Sequence, residues 1–308
     1  MTRSVAATVV VGLVALVLFP SVAHAWAPGT HIVLGDAVLR SLHLLPTSVA
    51  DLLRAFPYDF LYGSIAADTS IAKKYAETGR HCHSWRIGLE IRDRADDERL
   101  SAFALGYLAH LAADVVAHNY FVPHRLATTS STVALGHSYW ESRFESRLGD
   151  GGPRRARELI LLDHSRSDAH LDRILSPTIF STSMNRKFFR GMVYVTDMEP
   201  WQRIVQLMAD NSRWDLTEGD VGTYLARSYD YIIDLLVRVE QSEPFAHDPS
   251  GDEPLREAKR LRRVAWRQGG EAQVVIDADR AFGLPRSDLA YAAALGPPIY
   301  PAVRSARI

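Results

Sequence analysis

The 308-residue sequence contains a single cysteine, Cys82, so an intrachain disulfide is excluded. It also lacks an excess of either charge, with a formal net charge of -1 at pH 7, which argues against a strongly acidic protein or a nucleic-acid-binding surface. Internal repeats are absent, as are the alternating apolar and polar runs that are typical of β-strands. With 47% hydrophobic and 23% charged residues, the composition is that of an ordinary globular protein.

The N-terminus has the three parts of a secretory signal peptide. Arg3 supplies positive charge, residues 9–19 are almost continuously apolar, and Ala23-His24-Ala25 forms a small-residue cleavage motif. A retained membrane anchor is the alternative, but this apolar run is shorter than the ~20 residues that span a bilayer. We therefore expect cleavage between Ala25 and Trp26 and a secreted or periplasmic protein. An exported protein without disulfides needs a well-packed core, bound metal ions, or both.

Apolar residues recur at helical spacing along most of the remaining chain, which predicts an all-α fold. The predicted helices cover residues 31–43, 48–56, 100–120, 133–148, 155–174, 198–211, 218–241 and 255–283. The tail from Pro285 onward is expected to be irregular because of its prolines.

One predicted helix carries three polar side chains in an apolar stretch, since His110, Asp114 and His118 follow one another at intervals of four residues. At 3.6 residues per turn they lie on one stripe of the helix. Eight residues rise ~12 Å, whereas zinc–nitrogen bonds are about 2.0–2.1 Å long, so the two histidines cannot easily share one ion. Asp114 has two oxygens and could serve both. The stripe therefore predicts at least two metal ions with Asp114 between them.

Other residues of the metal-ligand type lie nearby in the sequence. His137 and Glu141 are four residues apart on the next predicted helix and can hold one ion from one face, although surface His–Glu pairs have the same spacing. Asp68 ends a run of small residues, Gly63-Ser-Ile-Ala-Ala-Asp68, that lets the backbone approach a packed site. An ordinary helix cap is the alternative for this aspartate.

Two further ligand sets come from short segments. Residues 81–83 contribute one or two imidazoles, from His81 and His83, while Cys82 is either a soft ligand or a small buried residue. Cleavage would make Trp26 the first residue, five positions before His31. A free α-amino group has a pKa of about 7.7–8.0, so it can lose its proton at neutral pH and bind a metal together with the Trp26 carbonyl.

The order of these residues resembles that of the zinc-dependent phospholipase C family, which includes bacterial phosphatidylcholine-cleaving enzymes and the clostridial alpha-toxin. The resemblance covers about residues 26–145 and implies an all-helical fold that binds three zinc ions in a cleft. Carried over by position, it implies three ligand sets: Asp68, His83, His110 and Asp114; His118, His137 and Glu141; and Trp26, His31 and Asp114.

One helical ligand departs from the family pattern. The best-known members place this ligand six residues after the aspartate, whereas His118 follows Asp114 by four residues and position 120 is Tyr. His124 is a poorer substitute because Pro123 precedes it, and we expect His124 to lie beyond the helix.

The C-terminal part also departs from the toxin, because residues 246–308 show no strand pattern for its lipid-binding β-sandwich. We expect a signal peptide over 1–25, an all-helical zinc-binding catalytic domain over 26–245, and an extension over 246–308 that is part helix and part irregular. Within the extension, the arginine-rich segment 255–267 could touch anionic lipid headgroups. A solvated helix face is the simpler interpretation, since no clean apolar face opposes its charges.

The resemblance implies hydrolysis of a phosphodiester by a metal-activated water. The expected substrate is a phospholipid, which would give diacylglycerol and a phosphorylated headgroup. Asp68 and Asp114 are the expected catalytic residues, with Asp68 able to act as a general base. We expect transient contact with a membrane surface at most, and no obligate protein partner is evident.

Two alternatives remain open at this stage. The fungal and plant single-strand nucleases are similar in their trizinc site, their N-terminal Trp and the short spacing from Trp26 to His31, but their last ligand is usually Asp where this chain has Glu141. A catalytically degenerate zinc-binding helical protein is the second alternative. Five aromatic residues near the ligands either line a cleft or pack the core: Phe60, Tyr62, Trp85, Tyr120 and Phe121.

Overall fold

In the computed structural model, residues 26–70, 82–129 and 133–295 are described, and this part of the chain is helical without a β-strand. The all-α prediction is therefore confirmed, while the predicted signal peptide and His81 lie outside the described residues. The helices, numbered α1 to α13 in chain order, are Pro28–Arg40, Thr47–Ala55, Pro57–Ala66, Trp85–Asp93, Glu98–Val116, Val122–Thr128, Val133–Ser146, Gly151–Ile160, Ser165–Asp172, Thr182–Thr196, Glu199–Asp210, Glu218–Arg238 and Asp252–Phe282. A π-helix, Ala117–Phe121, joins α5 to α6.

The periodic pattern located most long helices but not all boundaries. Helices α3, α4, α6 and α10 were not predicted, although Pro57 at the start of α3 suits the first turn, where its missing N–H needs no partner. The single helix predicted over residues 155–174 is wrong, because the chain turns between α8 and α9. His164 is buried in this turn, where its ring stacks on Tyr62 with centroids 3.6 Å apart and its Nε2 donates to the Leu159 carbonyl at 2.7 Å.

Helix α5 is the central helix, and α3, α4 and α12 pack against it. Its N-terminus is capped by Asp97, whose side chain accepts a hydrogen bond from the Leu100 amide at 2.8 Å. The stretch Glu98–Thr128 is long and apolar enough to cross a membrane, yet 89% of its most apolar window is buried inside the protein. It is therefore a core helix, apolar on nearly all sides because other helices surround it.

Two glycines let α3 and α5 approach each other closely. A Cβ atom on Gly63 would lie 2.0 Å from the Phe103 carbonyl oxygen, and one on Gly106 would lie 2.0 Å from the Phe60 carbonyl oxygen. No side chain fits at either position. The close approach brings the end of α3 and the turn that follows it, which carries Asp68, against the part of α5 that carries the ligand stripe.

Helices α12 and α13 complete the body. Thr217 and Asp220 form a capping box at the start of α12, in which each side chain satisfies a backbone N–H. Helix α13 packs against α6 and the π-helix. It is kinked where Gly269 and Gly270 leave the helical conformation.

Candidate metal centre

Three buried groups of ligand-type side chains lie within the described part of the chain, and in each group the ligand atoms are within 4.8 Å of one another. Together they contain eight of the residues that the sequence predicted, none of which is more than 4% exposed. The groups are His31, Asp68 and His110; His83, His110 and Asp114; and His118, His137 and Glu141.

Asp114 lies between the first two groups and faces each with a different oxygen. Its Oδ1 is 3.2 Å from Nε2 of His31, while its Oδ2 is 3.0 Å from Nε2 of His83 and 3.1 Å from Nε2 of His110. Burial alone raises the pKa of Asp114, but the three histidines, His110 most strongly, hold it well below its usual value. The carboxylate is therefore ionised and presents both oxygens, as a ligand shared by two ions would.

Ligand atoms of the second group have the spacing expected around a zinc ion. The Nε2 atoms of His83 and His110 are 3.1 Å apart, and each is about as far from Oδ2 of Asp114. Oδ1 of Asp68 lies 3.3 Å from the His83 nitrogen and 3.9 Å from the His110 nitrogen. Two ligand atoms at zinc-bond distance in a tetrahedral site are about 3.3 Å apart, so these four side chains match the set implied for one ion.

His31 is neutral and His110 is oriented as ligation of a metal requires. Burial, followed by the neighbouring His110, lowers the pKa of His31 to about 4, so its ring is neutral at pH 7, as ligation requires. Nδ1 of His110 lies 2.9 Å from the Ser64 carbonyl oxygen, which accepts its proton. That contact directs Nε2 of His110 at the carboxylates, the usual arrangement of a ligating histidine.

The third group places His118 with the ligands of α7. Nε2 of His137 is 2.7 Å from Oε1 of Glu141, and the rings of His118 and His137 lie edge to face with centroids 5.3 Å apart. His118 belongs to the π-helix, whose wider turn replaces regular α-helix at this point; such turns are frequent at functional sites. The four-residue spacing from Asp114 is thus compatible with a place in the cluster.

His124, the weaker candidate, lies outside the cluster and pairs with Asp279, with Nε2 and Oδ1 2.8 Å apart. Helical structure continues from α5 through the π-helix into α6, which contains His124, so the expectation that it lies beyond the helix is wrong. Pro123 stands in the first turn of α6, where a missing N–H is tolerated.

A loop from the C-terminal half holds this region through consecutive carbonyl groups. Nδ1 of His118 donates to the Pro249 carbonyl at 2.7 Å, the Asn119 amide to that of Asp248 at 2.8 Å, and the Trp85 indole to that of His247 at 2.8 Å. Sequence reasoning missed this role, because backbone carbonyls act here and any residue type supplies one. The bond to Pro249 orients His118 so that its Nε2 faces the group.

Gly251 closes the same loop against His118, and we expect its replacement by alanine to displace that histidine. It has φ +60°, and a Cβ atom there would lie 2.4 Å from the His118 Cβ. Metal affinity of the third group should fall by about 10–100-fold, as when a group that orients a ligand is lost. Competition with a zinc chelator measures this affinity.

The matched control is Gly270→Ala, because Gly270 has a similar φ of +66° but open space where the alanine methyl group would lie. Its ψ of -150° places it in a backbone region essentially reserved for glycine, so the variant carries a backbone cost of ~1–3 kcal/mol without the collision. Equal zinc affinity in the two variants would contradict the proposed role of Gly251.

The start of the described chain lies beside the shared carboxylate. The Trp26 indole donates to the carbonyl of Ala113 at 3.0 Å, one residue before the aspartate, and packs against Phe144 with centroids 4.2 Å apart. Glu145 accepts a hydrogen bond from the Thr30 amide at 3.2 Å and so caps α1. Its burial raises its pKa to about 7. Sequence reasoning did not find Glu145, since a carboxylate that caps a distant helix leaves no local pattern.

The remaining candidates lie outside the three groups. Cys82 is buried, with its Sγ 3.3 Å from Nδ1 of His83. Phe60, Tyr62 and Phe121 are fully buried in the core, whereas Trp85 and Tyr120 are only partly buried.

The donor set fits zinc. It combines imidazoles with carboxylates, which suit Zn²⁺ as borderline and hard ligands. Nε2 of His31 and both oxygens of Asp114 are buried, close together, and in no hydrogen bond of acceptable geometry. Buried polar atoms of this kind are costly, and two cations that share Asp114 would satisfy all three.

Comparison with known families agrees with this geometry. The sequence profile of the family described as zinc dependent phospholipase C matches residues 30–189, slightly more than half of the chain and a range that contains all eight clustered side chains. The chain belongs to the zinc-dependent phospholipase C family. No curated protein and no solved structure matches it.

Proposed function

We propose that the protein is an exported phospholipase C that cleaves a phospholipid to diacylglycerol and a phosphorylated headgroup. The observation that carries the proposal is that His110 belongs to two neighbouring groups of ligands and that Asp114 faces both with different oxygens, in a chain of this family. Structural zinc sites are typically closed tetrahedra of Cys and His. A set that contains no cysteine, is rich in carboxylates and shares a ligand between groups favours catalysis instead.

Three zinc ions would be held by the sets described above. Asp68, His83, His110 and Asp114 would bind the first, and His118, His137 and Glu141 the second. His31, Asp114 and the α-amino and carbonyl groups of Trp26 would bind the third, provided that the chain is cleaved after Ala25. When bound, the zinc ions would supply an activated water and neutralise charge on the phosphoryl oxygens.

The protein's own carboxylates are positioned to transfer the proton that moves during hydrolysis. As water adds to phosphorus, the phosphorus–oxygen bond to glycerol breaks, the water loses a proton and the glycerol oxygen gains one. Asp68 is the candidate acceptor, because it is buried within the group and lies beside both His83 and His110. Asp114 contacts His31, His83 and His110 and so fixes the positions of these three rings relative to one another.

The test is an assay of the zinc-loaded chain that begins at Trp26 on phosphatidylcholine and on single-stranded DNA. We expect release of phosphocholine and no DNA cleavage, with about three zinc ions per chain by metal analysis. DNA cleavage without lipid hydrolysis would establish the nuclease alternative. Activity on neither substrate with zinc fully bound would establish a degenerate member. A chain with one extra residue before Trp26 should bind less zinc if the terminal amine is a ligand.

A further inference from the structure

The N-terminal part of α13, before its kink, presents a row of cations to solvent. Four arginines recur at intervals of four, three and four residues, which places them on one stripe of the helix, and a lysine borders them. All five side chains are exposed, and only one of them forms an ion pair with a residue that the structure describes, namely with Glu257. This basic stripe consists of Arg256, Lys259, Arg260, Arg263 and Arg267.

Apolar side chains border the basic stripe on both sides. Trp266 is 49% exposed and Val264 is 47% exposed, and helical spacing places them on opposite edges of the stripe. The opposite face of the helix is anchored, since Ala258 and Ala265 are buried against the body. The sequence alone showed no apolar face opposite the charges because these inward residues are alanines. The helix is therefore held to the protein with its cations, a tryptophan and a valine all directed outward.

We propose that the basic stripe, with Trp266 and Val264, docks the protein on the surface of an anionic phospholipid membrane. This inference rests on the proposed phospholipase function. Lysine and arginine are attracted to anionic headgroups, and tryptophan favours the interface between headgroups and acyl chains. The same helix starts at the loop that holds His118 and packs against the π-helix, so the docked element is directly connected to the candidate metal centre.

A membrane is favoured over a nucleic acid for two reasons. The exposed Trp266 and Val264 flank the charges where they can enter the interfacial region, and a binding site for a phosphate backbone has no need of an exposed valine. The family of the chain is defined by action on phospholipids. A substrate that resides in a bilayer requires the enzyme to meet the bilayer.

The experiment measures binding of the zinc-loaded protein to vesicles by flotation at low ionic strength. Vesicles of phosphatidylcholine with about a third phosphatidylglycerol are compared with vesicles of phosphatidylcholine alone. Each Lys or Arg near an anionic surface contributes roughly fivefold in affinity. The triple variant Arg256→Gln, Arg263→Gln and Arg267→Gln should therefore bind anionic vesicles on the order of a hundredfold more weakly. Trp266→Ala should also weaken binding to anionic vesicles, and no change of salt concentration should restore that binding.

The matched control removes three exposed arginines from other helices: Arg54→Gln, Arg154→Gln and Arg203→Gln. It has the same net charge as the stripe variant, and we expect it to bind anionic vesicles like the parent. An equal loss in both triple variants would overturn the proposal, because net charge alone would then explain binding. Stripe-dependent binding of single-stranded DNA in the absence of vesicle binding would overturn it as well.

Hydrolysis of a short-chain, water-soluble phosphatidylcholine separates this proposal from the function on which it rests. The stripe variant should hydrolyse this substrate at the parental rate, since the stripe lies outside the ligand groups. A parent protein that hydrolyses the soluble substrate but does not bind anionic vesicles would contradict the docking surface alone. A parent that hydrolyses neither soluble nor vesicular lipid would contradict the proposed function.

Discussion

Asp114→Asn is expected to reduce phosphodiester hydrolysis by about 10³-fold or more, since in the proposed mechanism charge stabilisation at the phosphoryl group would depend on the ions that this carboxylate would hold. The two oxygens of Asp114 face His31 on one side and His83 with His110 on the other. Asparagine keeps the shape but supplies one neutral oxygen. Zinc content should fall from about three ions per chain to about one. The remaining ion should be the one bound by His118, His137 and Glu141, a group that does not include Asp114.

The control for this substitution is Asp234→Asn on α12. Asp234 is also fully buried and ionically paired, with Oδ2 accepting from the Glu243 amide at 2.7 Å and Oδ1 bonded to Arg238, but it belongs to none of the three groups. Its replacement should lower stability while leaving zinc content unchanged. Full zinc content and activity in Asp114→Asn, measured by metal analysis and hydrolysis, would disprove the shared-ligand interpretation.

Removal of zinc is expected to lower the thermal stability of the protein by a large margin. Eight titratable side chains are clustered in the core in the three groups, and none is more than 4% exposed. An ion present at a thousand times its Kd stabilises the folded state by ~4.1 kcal/mol. A chain of this size shifts its Tm by roughly 2–4 °C per kcal/mol. Loss of all ions should therefore lower the Tm by at least about 20 °C.

Thermal unfolding with and without EDTA measures this effect, with zinc added back to show reversal. Magnesium should not restore stability, because it prefers oxygen ligands in octahedral geometry. Asp114→Asn serves as the internal control. EDTA should lower its Tm by less than that of the parent, because this variant binds fewer ions. A fall of only a few degrees in the parent would mean that the ions contribute little to the fold.

The sequence could predict the features that depend on spacing along one helix. Intervals of four residues place His110, Asp114 and His118 on one stripe, and the length of that stripe already predicted more than one ion. His137 and Glu141 follow the same rule on α7, and their side chains meet at 2.7 Å. These are short-range consequences of helix geometry, so they can be inferred before the helices are packed.

Features that depend on contact between distant segments could not be predicted from spacing. Whether His118 joins the cluster depends on the π-helix and on a hydrogen bond to Pro249, 131 residues away in the chain. The helix predicted over 155–174 breaks for a similar reason, because burial of His164 against Tyr62 decides the turn. In both cases tertiary contacts override the local preference of the chain.

The sequence by itself determined the all-α class and the central apolar helix, because both follow from residue type and helical period, and it pointed to the ligand residues through their types and their resemblance to the family order. Only the tertiary structure decided how these residues meet. The close approach of α3 and α5 at Gly63 and Gly106 brings Asp68 to His83 and His110, and the loop that ends at Gly251 fixes His118. Packing also left the basic stripe of α13 facing solvent, since burial of Ala258 and Ala265 determines which face of that helix points outward.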